Sequence, residues 1–410
     1  MNSLILLHPI SKELHIYDED FSSTISNTGV ISPTVNYQHT VNNLLQQGII
    51  EKTTKPFILK EGKTPTEPIY PLNVTFQVTN NCNLNCVHCH RKNKNSRSIS
   101  ISQFRKIIKQ LRQLNVFNIN ISGGEPLLRP ELSEMIKIVN GAGMRATISS
   151  NAVLLDNKAV DSLYEAGLRN MQISFDSYKP AKHDQIRGVK GAFKQMVAHL
   201  PLLKNRGIKF ALVTSLVDQT PAEYSKIIDT AFQLGASAHK TNTVIPQGQA
   251  RKMPASRNLN DFSAYIAIWK KKREQYKDKM TVMAESMFAL QIGLEQISPK
   301  DAAPILKIGC PAAILTCNID ESGNVTPCSF FPDLILGNML KNDFTKIWNG
   351  PKAKQLRKRD KIKKCGTCPH KNSCGGCRAR SYGITNKMFQ TDHYCFLNKF
   401  SSNEKNSTKK

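Results

Sequence analysis

Residues 72–91 read LNVTFQVTNNCNLNCVHCHR, a run of alternating apolar residues that leads directly into three cysteines. The alternation predicts a β-strand, and Cys82, Cys86 and Cys89 follow it in a C-x3-C-x2-C pattern on a short loop. Three thiolates on one loop can bind three irons of a cubane iron–sulfur cluster, which leaves the fourth iron for a ligand that is not protein. A structural zinc site, with one of the two loop histidines as the fourth ligand, is the alternative.

A second motif stands at the end of the next predicted strand, where residues 121–130 read ISGGEPLLRP. Gly123 and Gly124 carry no Cβ, so a ligand can approach the backbone closely there. Glu125 supplies an acceptor for a ligand ammonium group, and Pro126 stiffens the exit from the turn. The alternative is a plain glycine turn between a strand and a helix.

Strand-like and helix-like segments alternate from residue 72 to about residue 250. The strand-like runs are LNVTFQVT, FNINIS, MRATISS, MQISFDS, IKFALVTSLV and, less clearly, ASAHKTNTVI. After the first of them, apolar residues recur with the spacing of one helix face, at Phe104, Ile107, Ile108 and Leu111. Six such units predict an α/β fold with a parallel sheet, open or curled into a partial (βα)6 TIM-like barrel, and with functional loops at the carboxyl ends of the strands.

Composition divides the chain into four parts. Residues 1–70 contain no cysteine and mix strand and helix patterns, so they predict a small N-terminal α+β module. Residues 71–300 hold the predicted barrel, and residues 301–400 are rich in cysteine and turn residues, which predicts a second, cluster-binding domain. Residues 401–410 form a polar tail.

The overall composition narrows the class of protein. A chain of 410 residues with 40% hydrophobic residues can bury a core, and no apolar run is long enough to cross a bilayer. Eleven clustered cysteines predict metal or redox chemistry in the cytoplasm and not a secreted disulfide framework. The net charge of +26 favours an acidic partner. Because the charge is diffuse and has no interleaved aromatic residues, nucleic acid is not the expected partner.

The cysteine loop and the GGEP segment, in this order and on these elements, resemble the radical S-adenosylmethionine superfamily. The resemblance implies that the open iron of the cluster chelates S-adenosylmethionine and that the GGEP segment holds its amino group. An electron from the cluster would then cleave the sulfonium to a 5′-deoxyadenosyl radical, which abstracts hydrogen from substrate. One departure is His88, which occupies a position that is usually aromatic in the family.

The same resemblance implies cofactor contacts at later strand ends. Asn151 lies in the segment SSN, and Ser174 and Asp176 lie in the segment SFDS. Arg187 is a candidate partner for the cofactor carboxylate. For each of these residues, ordinary capping or turn chemistry is the alternative.

Eight more cysteines lie between residues 310 and 395, and taken alone they would suggest two zinc sites. Their spacing resembles the SPASM extension of radical enzymes that modify peptides and proteins. That resemblance implies two auxiliary [4Fe–4S] clusters, the first held by Cys310, Cys317, Cys328 and Cys377 and the second by Cys365, Cys368, Cys374 and Cys395. Three clusters would use all eleven cysteines. With all eight cysteines as ligands, both auxiliary clusters would be fully ligated, which favours electron transfer over direct ligation of substrate. The alternative is that Cys317 is not a ligand, in which case the first auxiliary cluster has an open iron.

The leading hypothesis for function is modification of a ribosomally made peptide or protein, by hydrogen abstraction and an oxidative cross-link such as a thioether or carbon–carbon bond. Residues 1–70 would form a PqqD-like module that binds the precursor, and the positive charge suits an acidic leader. A reductant such as flavodoxin or ferredoxin would supply electrons. Ser329 stands where sulfatase maturases carry an aspartate, which argues against that activity. No catalytic side chain is assigned.

Two alternatives remain. The first is oxidative tailoring of a porphyrin or haem precursor or another small molecule, because haem-biosynthesis members of the superfamily share the segment CGGCRAR, found here at residues 374–380. The second is a non-catalytic protein that binds zinc and nucleic acid.

Overall fold

The computed structural model describes residues 70–91, 97–114, 116–253, 262–284, 310–371 and 374–395, together with the backbone of five short strands before residue 60. The helix pattern within residues 1–70 and the predicted tail over residues 401–410 lie outside these ranges.

The short N-terminal strands form two small sheets. Strands β1 (Ile5–Leu7), β2 (Leu14–Ile16) and β3 (Thr24–Ile25) make an antiparallel sheet in that order, and β4 (Ile50–Glu51) pairs with β5 (Ile58–Leu59). The strands agree with the predicted strand content of residues 1–70. The complete α+β module remains a prediction.

A sheet of ten strands forms the centre of the molecule. Seven parallel strands lie side by side in chain order: β6 (Asn73–Gln77), β7 (Asn118–Ser122), β8 (Arg145–Ser150), β9 (Asn170–Ser174), β10 (Lys209–Leu216), β11 (Ala238–Thr243) and β12 (Thr281–Ala284). All six predicted strands are present, so the predicted α/β fold is confirmed. The seventh, β12, has only four residues and no alternating pattern that would have predicted it.

Helices connect these strands: α1 (Ile101–Gln113), α2 (Leu132–Gly141), α3 (Asn157–Glu165), α4 (Pro180–Arg187), α5 (Ala192–Arg206), α6 (Pro221–Gln233) and α7 (Ser263–Gln275). Helix α1 begins with a capping box, in which Ser100 accepts from the Gln103 amide and the Gln103 side chain accepts from the Ser100 amide. Its predicted apolar face is buried. Short 3₁₀ helices lie at Pro126–Leu128, Gly248–Lys252 and Arg359–Lys361.

The two faces of the parallel sheet differ in polarity. The outer face packs on the helices, as in the contact between the rings of Phe76 and Phe104, whose centroids are 4.9 Å apart. The inner face is polar: the Asn120 amide donates to Ser149 at 3.0 Å, and Thr147 also bonds to Asn120. Because a closed TIM barrel fills its interior with apolar side chains, this polar interior is suited to a substrate cavity.

The C-terminal region is continuous with the same sheet. Strand β13 (Thr316–Ile319) pairs in parallel with β6, and β14 (Asn324–Thr326) and β15 (Gly337–Asn338) continue the sheet in antiparallel fashion. Helices α8 (Phe344–Trp348), α9 (Pro351–Arg357) and α10 (Arg378–Thr385) complete this region. Among the described residues, no helix combines the length and apolarity needed to span a membrane.

Candidate active site

The loop that carries Cys82, Cys86 and Cys89 follows β6 and is held by the end of α4. The backbone amide of Asn85 donates to the Arg187 carbonyl at 3.0 Å, and the amide of Val87 donates to the Ile186 carbonyl at 3.0 Å. The three thiols are partly exposed. The loop therefore presents its cysteines from a fixed backbone.

Gly124 is required because the cysteine loop packs against it. A Cβ at this position would lie 2.0 Å from the Asn81 carbonyl oxygen, and the Gly124 amide donates to the Thr79 carbonyl at 2.8 Å. Gly188, after α4, is similarly close to Asn85, since a Cβ there would lie 2.3 Å from the Asn85 carbonyl oxygen. The sequence suggested that the GGEP glycines admit a ligand, and at Gly124 the chain's own loop occupies that space.

Glu125 joins the ends of two neighbouring strands. Its carboxylate is buried and accepts from the Ser150 hydroxyl at 2.7 Å and from the amides of Leu127 at 3.0 Å and Asn151 at 2.8 Å. Burial raises the pKa of Glu125 to about 6, and these hydrogen bonds oppose the rise. Each carboxylate oxygen has two acceptor positions, so the oxygen bonded to Asn151 keeps one for a ligand ammonium group.

Arg187 lies between a carboxylate and a cysteine sulfur. Its guanidinium is 2.7 Å from the carboxylate of Asp176 and donates to the sulfur of Cys86 at 3.7 Å. Burial alone would raise the pKa of Asp176, but the charges of Arg187 and His88 outweigh it and hold the pKa below its usual value. Asp176 therefore orients Arg187 in this structure, and a direct contact between Asp176 and the cofactor stays a prediction.

The remaining candidate contacts surround the same loop. The Asn151 side chain donates to Asn83 at 2.8 Å, and Ser174 ends β9 in register with Val213. The predicted residues after β7, β8 and β9 are thus brought together at the carboxyl ends of the strands. Their contacts with S-adenosylmethionine remain predictions.

His90 makes contacts between the barrel and the C-terminal domain that the sequence did not predict. The His90 ring lies edge-on to Phe330, with centroids 5.2 Å apart, and its Nε2 lies 3.3 Å from the Gln77 amide. Burial lowers the pKa of His90 to about 3, so the imidazole is neutral at pH 7. No local pattern links residue 90 with residue 330, since the pairing depends on how the C-terminal domain docks.

Four C-terminal cysteines, Cys365, Cys368, Cys374 and Cys395, form one group. Burial raises the pKa of Cys374 to about 12, and the charges of Asp392, Cys395 and Cys365 add to the rise. The Cys368 amide donates to the Cys365 carbonyl at 3.1 Å. These are the four residues predicted to bind the second auxiliary cluster.

The four cysteines predicted to bind the first auxiliary cluster do not all lie together. Burial raises the pKa of Cys328 to about 12, and the charge of Cys310 adds to it. Burial also raises the pKa of Cys377, which likewise interacts with the charges of Cys310 and Cys328. Cys317 lies on β13, is buried, and has its pKa raised by burial alone. Three of these four cysteines are therefore grouped.

The two groups of C-terminal cysteines fit iron–sulfur clusters chemically, since thiolates are the usual protein ligands of such clusters. Within the described ranges, no three histidine, cysteine or acidic side chains converge closely enough to hold a single metal ion. The cluster assignment therefore depends on the order and grouping of the cysteines and on comparison with known proteins.

Two family models match the chain: the radical SAM superfamily over residues 76–231, and SPASM, an iron–sulfur cluster-binding domain, over residues 310–369. A relative named AdoMet-dependent heme synthase, from Methanosarcina barkeri, is 27% identical over 79% of this chain and 96% of its own length. The PqqA peptide cyclase of Gluconobacter oxydans is 25% identical over 82% of this chain and 93% of its own length.

Solved structures give the same fold. The structure of Streptococcus suis SuiB bound to its precursor peptide SuiA has a TM-score of 0.68 at 17% identity, and the match covers 90% of this chain and 83% of that one. These findings confirm the resemblance inferred from the cysteine motifs. The chain belongs to the radical SAM superfamily and is a radical SAM enzyme with a C-terminal SPASM domain.

Proposed function

We propose that this enzyme oxidatively tailors a porphyrin-type haem precursor. The observation that carries the proposal is the match to the Methanosarcina heme synthase, which spans 96% of that protein. The shared CGGCRAR segment supports it. This order of preference reverses that of the sequence analysis, where a peptide substrate came first.

The inner face of β11 supports a substrate that carries carboxylates. On its outer face His239 bonds to Thr214 at 2.9 Å and Thr241 bonds to Tyr224 at 2.7 Å. Because side chains alternate along a strand, Lys240 lies on the opposite face, toward the barrel interior. Porphyrin precursors carry carboxylate side chains, and the ammonium group of Lys240 would pair with one of them.

The chemistry would be divided between cofactor and chain. When bound, the radical cluster and S-adenosylmethionine supply the radical that abstracts hydrogen from substrate. Three [4Fe–4S] clusters remain our proposal for the metal content. The chain would contribute Arg187 and Glu125 to orient the cofactor and the polar barrel face to orient the substrate.

A peptide or protein substrate is the second candidate. A three-stranded antiparallel sheet precedes the barrel, where a PqqD-like module over residues 1–70 would bind a precursor. The PqqA peptide cyclase is among the relatives, and a net charge of +26 suits an acidic leader. In this case the product would be an oxidative cross-link.

A basic surface supports flavodoxin or ferredoxin as the electron donor. Lys358, Lys361, Lys363 and Lys364 are exposed beside the loop of Cys365. Positive charge at this position would attract a small acidic redox protein and speed its encounter with the second auxiliary cluster.

The test is a comparison of two substrates under anaerobic conditions. The reconstituted enzyme, with reductant and S-adenosylmethionine, is offered a carboxylated porphyrin or a synthetic precursor peptide encoded by a neighbouring gene. We expect an oxidised porphyrin, measured by mass spectrometry, together with substrate-dependent 5′-deoxyadenosine. An unchanged porphyrin alongside a modified peptide would contradict the proposal and favour the second candidate.

A further inference from the structure

His90 is held in one tautomer by Gln77. The side-chain amide nitrogen of Gln77 lies 3.3 Å from Nε2 of His90, and Gln77 itself is 5% exposed. An amide N–H group can only donate, so Nε2 is the ring nitrogen that accepts and that carries no hydrogen. The ring is therefore neutral with its hydrogen on Nδ1, and this second nitrogen is a fixed hydrogen-bond donor.

The Nδ1 atom of His90 is open to a ligand. Within the part of the chain that the structure describes, no group accepts a hydrogen bond from it. The His90 residue is half-buried, and its Nδ1 differs from that of His88, which lacks a partner among the same residues but is fully buried. Since Nδ1 of His90 is a fixed donor that no described group accepts from, it is available to a ligand that carries an acceptor.

The backbone around His90 is fixed from two sides. A Cβ at Gly248 would lie 2.5 Å from the His90 carbonyl oxygen, so the loop after β11 packs directly on this residue. The next residue, Arg91, lies 2.6 Å from Glu321 of the C-terminal domain. Because the donor is already held in place, binding through it costs little conformational entropy.

The ring of His90 lies at the mouth of the barrel. Its partner Gln77 is on β6 and faces inward, because the neighbouring Phe76 packs on the outer helices. Phe330 of the C-terminal domain contacts the same ring edge-on. Lys240, which faces inward from β11, belongs to a strand that four others separate from β6. A substrate in the barrel mouth would therefore meet His90 on one side and Lys240 on another.

We propose that His90 is a substrate-binding residue, and that its Nδ1–H group donates a hydrogen bond to a carboxylate oxygen of the substrate. The choice of a carboxylate rests on the proposed function, since a porphyrin-type precursor carries several carboxylates around its ring and can present one to His90 and another to Lys240. A purely structural role for His90, as a packing partner of Phe330, would need no nitrogen at the open position.

The test measures binding without turnover. Reconstituted enzyme with S-adenosylmethionine but no reductant is titrated anaerobically with a tetracarboxylate porphyrin and with the tetra-amide of the same porphyrin, and the porphyrin fluorescence is followed. The amide keeps the carbonyl oxygens and removes the charge. His90→Phe should weaken binding of the tetracarboxylate by roughly tenfold or more, and binding of the tetra-amide by about threefold or less, because hydrogen bonds to charged groups are the stronger ones.

Two further variants separate the donor from the packing. His90→Asn keeps an amide N–H near the position of Nδ1 and should bind the tetracarboxylate within about threefold of the wild type. Phe330→Leu removes the ring contact and keeps the donor, so it should retain the preference for carboxylate over amide. Iron content, circular dichroism and the affinity for S-adenosylmethionine serve as folding controls. If His90→Phe does not fold, His90→Gln replaces it, because its longer side chain reaches Gln77 and leaves the Nδ1 position empty.

Equal weakening for both porphyrins in the folded His90→Phe variant would overturn the proposal, as would wild-type affinity for the tetracarboxylate. Failure of the proposed function gives a different result, since the wild-type enzyme would then bind neither porphyrin. In that case the same variants are titrated with an acidic precursor peptide and with the peptide whose carboxylates are converted to amides. The same dependence on the carboxylate is expected, and equal effects on the two peptides would overturn the role of His90.

Discussion

The Arg187 guanidinium bridges the buried carboxylate of Asp176, 2.7 Å away, and the sulfur of Cys86, 3.7 Å away. Asp176→Asn removes the charge that holds Arg187, and removing one partner of a buried pair costs about 3–5 kcal/mol. We expect S-adenosylmethionine to bind roughly tenfold more weakly, as for the loss of one charge-assisted hydrogen bond. The cofactor-induced change in the resonance spectrum of the reduced cluster, titrated against cofactor, measures this.

The control for that variant is Glu165→Gln. Glu165 is largely exposed and lies 3.8 Å from Arg206, so its loss should leave cofactor binding unchanged. Wild-type cofactor affinity in Asp176→Asn would show that Arg187 does not need its partner.

Gly124→Ala should disrupt the radical-cluster loop, because the new Cβ would lie 2.0 Å from the Asn81 carbonyl oxygen. We expect loss of about a third of the iron, with the auxiliary clusters retained. Gly141→Ala is the matched control, since a Cβ there meets nothing within 4 Å and alanine favours a helix. Full iron content in both variants would refute this account of Gly124.

Cofactor binding should weaken in acid through Glu125. Its pKa is raised to about 6, so the carboxylate that would hold a ligand ammonium is ionised above that pH and protonated below it. The KM for S-adenosylmethionine should be level above pH 6 and rise by up to roughly tenfold per pH unit below it, as for a single required ionisation. Glu125→Gln should raise the KM for S-adenosylmethionine and remove its pH dependence. If the pH profile of this KM were the same in the variant as in the wild type, Glu125 would not be a cofactor ligand.

Lys240→Gln should impair binding of a carboxylated substrate without affecting cofactor cleavage. Loss of one ion pair to the substrate should raise the KM for porphyrin by roughly tenfold, since hydrogen bonds to charged groups contribute about 1.5–3 kcal/mol. Substrate-independent formation of 5′-deoxyadenosine serves as the internal control. Equal KM values for porphyrin in the wild type and the variant would show that Lys240 does not bind the substrate.

Charge reversal beside the second auxiliary cluster should slow reduction by a protein donor. Lys361→Glu/Lys363→Glu/Lys364→Glu should reduce the rate with flavodoxin by roughly tenfold or more at low salt, with the deficit shrinking as salt is added. Reduction by dithionite should not change. The comparison is Lys271→Glu/Lys277→Glu/Lys279→Glu, which reverses three exposed lysines elsewhere. Equal effects of the two triple variants would point to net charge instead of docking.

Local patterns predicted the parts of the fold that depend on neighbours in the chain. Strand alternation and the apolar face of α1 were sufficient for the βα units, and the spacing of Cys82, Cys86 and Cys89 was sufficient for the radical-cluster loop. Pairing of β13 with β6 was not predictable, because it joins residues more than 200 positions apart and no local pattern encodes that contact.

The roles of individual polar and cysteine residues were harder to predict. Asp176 belongs to a motif that suggests a cofactor ligand, yet its carboxylate lies against Arg187. Cys317 has the residue type of a metal ligand and also that of a small core residue, and only its register opposite Val74 separates the two roles. Such distinctions depend on which face of a strand the fold buries.

Strand β13 has a consequence for how the protein can be divided. It covers the free edge of β6, the strand that leads into the radical-cluster loop. A fragment that stops before residue 310 would leave one edge of β6 unpaired, and exposed strand edges promote aggregation. Since a long-range parallel pairing also forms slowly, the barrel of a nascent chain would wait for part of its last quarter to be synthesised before its sheet is complete.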